Sequence, residues 1–93
     1  MAEAQEVFEE YKGFVIRVLA IAEYSPHPPV VPYRYVGYVA RPGADIRIAG
    51  QCILFSHGFP DFPTVDAAER AGFAEGRSIV DGTHPDGLNA ETL

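Results

Sequence analysis

The nine residues from Phe14 to Ala22 are apolar on both faces of any strand that they form, and Arg17 is the only charged residue among them. Several of these residues are β-branched, which favours a strand over a helix. Gly13 precedes the run and a proline cluster follows it, and both features are typical of strand boundaries. The run therefore predicts a central strand over about 13–23, covered by a helix on one face and partly covered on the other.

Four prolines fall within the eight residues 25–32. Proline has no amide hydrogen and a restricted φ, so this segment is predicted to be a stiff, extended loop. Strand-forming residues resume at Tyr33, and the loop therefore connects two strands of one domain. A second strand is predicted over about 33–41, where Gly37 indicates a bulge or the close approach of another backbone.

The pair Pro42-Gly43 is typical of the two central positions of a type II turn. After it, Ile46 and Ile48 alternate with polar residues, and an apolar run follows. We therefore expect a third strand over about 45–56, bent near Gly50 and antiparallel to the second strand.

A single helix is predicted over about 64–80. Threonine is favoured at the N-cap of a helix and glycine at its C-terminal end, so Thr64 and Gly82 mark the two ends of this helix. Gly72 and Gly76 lie on the apolar stripe of this helix, and each costs about 1 kcal/mol relative to alanine. Their presence predicts close packing of the helix on a sheet. The stripe consists of Val65, Ala68, Gly72, Gly76 and Ile79.

These elements predict a two-layer α+β fold, with one helix packed on one face of a three-stranded antiparallel sheet. The other face of the sheet would be open to solvent or to a partner. We expect a single domain over 11–82, an acidic N-terminal arm over 1–10 and a flexible acidic tail over 83–93. Residues 1–10 hold four acidic residues and residues 81–93 hold three, and neither segment contains lysine or arginine. The net charge of −6 is therefore the sum of −7 at the two ends and +1 over residues 11–80.

The composition argues against several classes of protein. The 93 residues contain no apolar run long enough to span a membrane. The N-terminal residues are acidic and do not resemble a signal peptide. One cysteine cannot form an internal disulfide, which favours a reducing cytoplasm. The net charge of −6 makes nucleic acid an improbable partner, because its binding rests on neutralising phosphates.

No arrangement of residues predicts a catalytic or metal site. The cysteine and the three histidines lack the spacings that bring zinc ligands together on one element. Ser56 and His57 are adjacent, so on a strand they would point to opposite faces, and a triad with Asp61 is not expected. The spacing Gly72-x-x-x-Gly76 lacks the lysine of a phosphate-binding loop. We expect neither an enzyme, nor a cofactor, nor a bound metal.

Two hypotheses for function remain, and they use different surfaces. The first is a non-enzymatic domain that binds another protein, or a second copy of itself, through the open sheet face, an edge strand or the proline loop. The second is a nucleic-acid-binding module that stacks bases on a face of tyrosines and arginines. The candidate interaction residues are Tyr33, Arg34, Tyr35, Arg47, Pro28 and Pro29.

Three short motifs resemble a family of short proteobacterial proteins of the Burkholderia type. The motifs are Tyr11-Lys12-Gly13-Phe14-x-Ile16, Phe62-Pro63-Thr64 and Gly72-Phe73-x-x-Gly76-Arg77-x-Ile79-Val80-Asp81-Gly82. The resemblance covers roughly residues 11 to 82 and implies a small bacterial domain. It implies no activity, cofactor or site residue, because the family has none assigned, although some of its members are immune-reactive antigens.

Overall fold

A computed structural model of the chain describes residues 7–23, 32–48 and 50–93. In it, four strands are followed by one α-helix and a short 3₁₀ turn. The elements are β1 (Val7–Tyr11), β2 (Phe14–Ala22), β3 (Tyr33–Ala40), β4 (Cys52–Phe62), α1 (Val65–Asp81) and the 3₁₀ turn (Ala90–Thr92).

The four strands form one antiparallel sheet in the order β1-β2-β3-β4, and α1 packs on one face of it. The predicted two-layer α+β fold is therefore confirmed, with one helix on an antiparallel sheet. The predicted number of three strands is wrong, because β1 adds a fourth at the edge next to β2.

The additional strand forms because residues 11–14 make a tight hairpin turn. Lys12 and Gly13 have φ angles of 50° and 83°, the left-handed conformation that a two-residue turn requires at both central positions. Residues 7–10 were expected in an acidic arm, and they are instead paired with β2. Their burial alternates along the strand, with Val7 and Glu9 on the side of α1.

The predicted bounds of the third strand are wrong. The Pro42-Gly43 turn forms as expected, since the amide of Ala44 donates to the carbonyl oxygen of Arg41 at 3.1 Å and Gly43 has a φ of 80°. The chain then turns again, because the side chain of Asp45 accepts a hydrogen bond from the amide of Arg47 at 3.0 Å. Residues 45–48 are therefore not a strand, and β4 begins only at Cys52 and continues to Phe62.

The helix lies directly on the central strands through its glycines, as the sequence predicts. A β-carbon on Gly72 would lie 2.5 Å from Cγ1 of Val18, and one on Gly76 would overlap Cγ2 of Ile16. Both of these side chains are fully buried. The glycines therefore allow the helix axis to approach β2 more closely than any other residue would permit.

The ends of α1 also follow the sequence prediction. The hydroxyl of Thr64 accepts a hydrogen bond from the amide of Ala67 at 3.0 Å, which is an N-cap. Gly82 has a φ of 75° and donates its amide to the helix carbonyls, which is a left-handed C-cap.

Residues 83–93, expected as a flexible tail, pack against the domain. Ala90 is fully buried, and Leu88 and Leu93 lie against the same hydrophobic core. The guanidinium of Arg41 donates to the backbone oxygen of Leu93 at 2.9 Å. Most of the predicted proline loop, residues 25–31, lies outside the described residues.

An ion pair joins β1 to the helix and gives a first prediction. Nε of Arg77 lies 2.7 Å from Oε2 of Glu9, and Nη2 of Arg77 contacts Oε1 of the same carboxylate. This hydrogen-bonded guanidinium holds the pKa of Glu9 below its usual value of 4.5. The pair therefore stabilises the fold above about pH 4.5, and this contribution is lost as the pH falls through the lowered pKa.

We expect Arg77→Met to lower the free energy of unfolding by up to about 1 kcal/mol at neutral pH, because the pair is partly exposed to solvent. The difference from the wild type should vanish in acid. Urea unfolding at several pH values measures both effects. Arg70→Met is the matched control, since Arg70 pairs with Asp66 of its own helix and both side chains are exposed. An equal loss in the two variants, or a loss independent of pH, would contradict the role of the pair.

Candidate interaction surface

The face of the sheet away from α1 is covered by apolar side chains. In an antiparallel sheet, paired residues share a face and alternate residues point to opposite faces. The fully buried residues Ile16 and Val18 lie under the helix, so Arg17 and Leu19 point the other way. We call this surface the open face. Its apolar members are Phe8, Val15, Leu19, Ile21, Val36, Tyr38 and Leu54.

A hollow of about 370 Å³ lies at the centre of the open face. Gly37 lies in the floor of the hollow, but its side-chain position faces α1, because Gly37 pairs with the buried residues Val18 and Phe55. A β-carbon on Gly37 would overlap the backbone oxygen of Arg17 in the neighbouring strand and would lie 2.7 Å from the ring of Phe55. The close approach predicted at Gly37 is therefore confirmed. The hollow is lined by Arg17, Leu19, Val36, Gly37, Tyr38, Leu54, Phe55 and Ser56.

Two large apolar side chains stand out on this face. Leu54 is 73% exposed and Phe8 is 58% exposed. Burial of a solvent-exposed leucine side chain in an interface contributes about 1.5–3 kcal/mol to the free energy of binding. Ile46 lies beside the same surface, because it lines a shallow cleft together with Val15 and Tyr38.

Two arginines of the open face are engaged with neighbours on the same protein. The guanidinium of Arg17 lies 5.0 Å from the centre of the Phe8 ring, which is a cation–π contact. Nε of Arg34 lies 2.5 Å from a carboxylate oxygen of Glu23. These two cations are thus partly neutralised or covered by an aromatic ring.

The residues predicted as an interaction surface do not lie together. Tyr33 and Tyr35 share a face as expected, but it is the face under the helix, and Tyr35 is only 4% exposed. Arg34 points to the open face. Arg47 is exposed in the turn after β3, where its guanidinium contacts Asp45 at 3.1 Å. Pro28 and Pro29 lie outside the described residues.

Tyr35 belongs to a chain of hydrogen bonds between the two layers. Its hydroxyl donates to Oε1 of Glu75 at 2.5 Å, and Oε2 of Glu75 lies 2.9 Å from Nε2 of His84. Nδ1 of His84 accepts the amide hydrogen of Asp86 at 3.1 Å, so Nε2 holds the proton that is donated to Glu75. Burial, and secondarily the hydrogen bond to Glu75, raises the pKa of the Tyr35 hydroxyl. This arrangement joins β3, α1 and the C-terminal residues.

A protruding bulge follows His57 on β4. Tyr35 pairs with His57 and Tyr33 pairs with Phe62, so residues 58–61 all lie opposite the single residue Arg34. Nε2 of His57 lies 2.6 Å from a carboxylate oxygen of Asp61, which closes the base of the bulge. Ser56 is on the open face whereas His57 is on the helix face, as the alternation along the strand requires. The side chains of Ser56 and His57 therefore lie on opposite faces of the sheet and do not contact one another.

The described part of the chain offers neither a cluster of metal ligands nor a membrane-spanning helix. Among these residues, no group of three or more histidine, cysteine, aspartate or glutamate side chains is placed to hold a metal ion. Within the same ranges, no helix has the length and apolar character needed to cross a membrane.

The sequence analysis missed the apolar residues of the open face. Leu19 and Leu54 are ordinary strand residues, and both faces of β2 are apolar in the sequence. The alternation along β2 separates the two faces, but it does not indicate which of them the helix covers. Only the packing of Gly72 and Gly76 against Val18 and Ile16 decides this point.

Comparisons with protein-family models, with curated proteins and with solved structures find no match to this chain. The interpretation of the open face therefore rests on its own geometry and chemistry.

Proposed function

We propose that this chain is a small protein-interaction domain that binds a partner protein through the open face and acts by binding rather than by catalysis. The observation that supports it is the continuous apolar surface around the hollow, in which Leu54 is almost three-quarters exposed. Contiguous apolar patches on otherwise polar proteins are typical of binding sites for other proteins. A bacterial, cytoplasmic setting is part of the proposal and follows from the sequence resemblance and the single cysteine.

The chemistry of the open face favours a partner with an apolar ridge. The hollow is shallow and bounded by aliphatic and aromatic side chains, so a projecting leucine, isoleucine or aromatic residue of the partner would fill it. Arg17 also lines the hollow, where its guanidinium contacts the ring of Phe8. Most of the binding energy would come from Leu54 and Phe8, the two large apolar side chains of the open face that are most exposed.

A nucleic-acid partner has less support than a protein partner. Base stacking requires accessible rings, and Tyr35 is buried with its hydroxyl bonded to Glu75. Arg34 is paired with Glu23, and the chain as a whole has a net charge of −6. The negative net charge would repel the phosphates of a nucleic acid, and binding would have to overcome that repulsion.

A matched pair of variants tests the proposal. Leu54 and Phe59 are 73% and 72% exposed, but Leu54 lies on the open face and Phe59 lies on the bulge after His57. We expect Leu54→Asp to reduce recovery of the partner at least tenfold in affinity purification from the host, because a carboxylate would be buried against apolar surface. Phe59→Asp should retain the partner. Quantitative mass spectrometry of the two eluates, at low and high salt, measures the difference.

Equal recovery with both variants would contradict binding through the open face. Thermal unfolding of each variant shows whether the fold is retained. Loss of the bound material in high salt, with nuclease-sensitive absorbance in the eluate, would instead indicate a nucleic-acid partner.

A further inference from the structure

The first six residues of β4, Cys52–His57, form an edge without the charges or prolines that usually protect an edge strand. β4 is an outer strand of the sheet, and no described strand pairs with its outer side. Its eleven residues begin with eight that include no aspartate, glutamate, lysine, arginine or proline. Edge strands of soluble proteins ordinarily have charges or prolines that block pairing with other chains. The first part of β4 thus presents free backbone donors and acceptors on an uncharged strand.

The opposite edge of the sheet is different. β1 has only five residues and contains Glu9 and Glu10. Glu9 is also held by Arg77 of the helix. Short length and carboxylates both disfavour pairing at this edge. Pairing between β4 of one copy and β1 of the next would propagate into a filament, and these features of β1 disfavour it.

We propose that a second copy of this chain pairs with β4 through its own β4, antiparallel, about a two-fold axis. This inference builds on the proposed function, because such pairing would join the two open faces into one surface across an eight-stranded sheet. An antiparallel pair of identical strands is self-complementary, so the assembly closes as a dimer.

The distribution of charge supports a second copy as the occupant. Two copies with a net charge of −6 each repel one another over most of their surfaces. The segment Cys52–His57 is uncharged apart from protonation of its histidine, so two copies can approach there without opposed carboxylates. A partner with a strongly basic strand would find no complementary charge on this edge.

The length of the free edge limits the strength of the dimer. The bulge at 58–61 interrupts the strand after His57, and the regular part of β4 has six residues. Six residues extend for about 20 Å, which is a short interface for two proteins. We therefore expect a reversible dimer whose population rises with protein concentration.

Substitution of Ser56 by residues of opposite charge tests the pairing of the two β4 strands. This residue is exposed on the edge strand, and its side chain points to the open face. We expect the wild type to form dimers in sedimentation velocity between low micromolar and several hundred micromolar concentrations. Ser56→Lys and Ser56→Glu should each shift the equilibrium towards the monomer, because with the two-fold axis near Phe55 the two like charges would be diagonal neighbours about 7–8 Å apart. An equimolar mixture of the two variants should recover the dimer.

Hydrogen exchange identifies the edge. In the wild type, amides of Cys52–His57 should exchange more slowly at high than at low concentration, whereas amides of β1 should not change. A wild type that stays monomeric throughout, a mixture that does not recover the dimer, or slowed exchange confined to other strands would each overturn the inference. These outcomes are separate from the proposed function, because binding of a different protein through Leu54 requires no second copy.

Discussion

Glu75→Ala is expected to lower the free energy of unfolding by about 3 kcal/mol. Glu75 accepts hydrogen bonds from the Tyr35 hydroxyl and from Nε2 of His84, and the side chains of both donors are largely buried. The truncation leaves two donors without an acceptor, and each unsatisfied buried group costs about 1–3 kcal/mol. Chemical denaturation with far-ultraviolet circular dichroism measures the change.

Two variants separate this network from a general effect of mutation at the helix. Tyr35→Phe removes one donor and leaves the bond between Glu75 and His84, so it should cost only about 1 kcal/mol. Glu75→Gln keeps an acceptor for Tyr35 but places an amide against the protonated nitrogen of His84, and its loss should be intermediate. A loss for Glu75→Ala no larger than that for Tyr35→Phe would show that the network contributes little.

Gly76→Ala is expected to lower the free energy of unfolding by up to about 2 kcal/mol, although alanine is the better helix former. The added methyl group would overlap the fully buried side chain of Ile16. Overpacking of a core costs about 1–3 kcal/mol, and the gain in helix propensity of about 1 kcal/mol offsets only part of it. Thermal and urea unfolding measure the net effect.

The control for this substitution is Gly58→Ala. A β-carbon at Gly58 would meet no atom within 4 Å, and its backbone is outside the left-handed region, so little change is expected. The double variant Gly76→Ala with Ile16→Ala should be more stable than the sum of the single losses predicts, because removing the side chain of Ile16 makes room for the methyl group. Stabilisation by Gly76→Ala alone would mean that the helix does not lie so close to β2.

The parts of the fold that the sequence predicts well are those with a local physical cause. The glycines of α1 predict close packing because nothing else offsets their helix cost, and Thr64 and Gly82 mark the ends of the helix. The Pro42-Gly43 turn likewise forms from its own φ preferences. In each case the two or three residues that decide the structure are adjacent or share one helix face.

The parts that the sequence analysis missed depend on contacts between distant residues. Residues 7–10 belong to the predicted acidic arm and form a strand because β2 pairs with them. The segment 45–48 alternates like a strand, but the side chain of Asp45 makes a turn. Tyr35 resembles a surface aromatic until Glu75 and His84 are placed beside it.

The central claim is that the open face is the surface that binds a partner, and hydroxyl-radical footprinting tests it most directly. The tagged chain is oxidised once alone at low concentration and once in host lysate, and modification is read residue by residue. We expect Leu54 and Phe8 to be modified in the isolated chain and protected in lysate, while Phe59, which is equally exposed, is modified in both. Protection of Phe59 without protection of Leu54 would contradict the claim, and so would equal modification of Leu54 in the two samples.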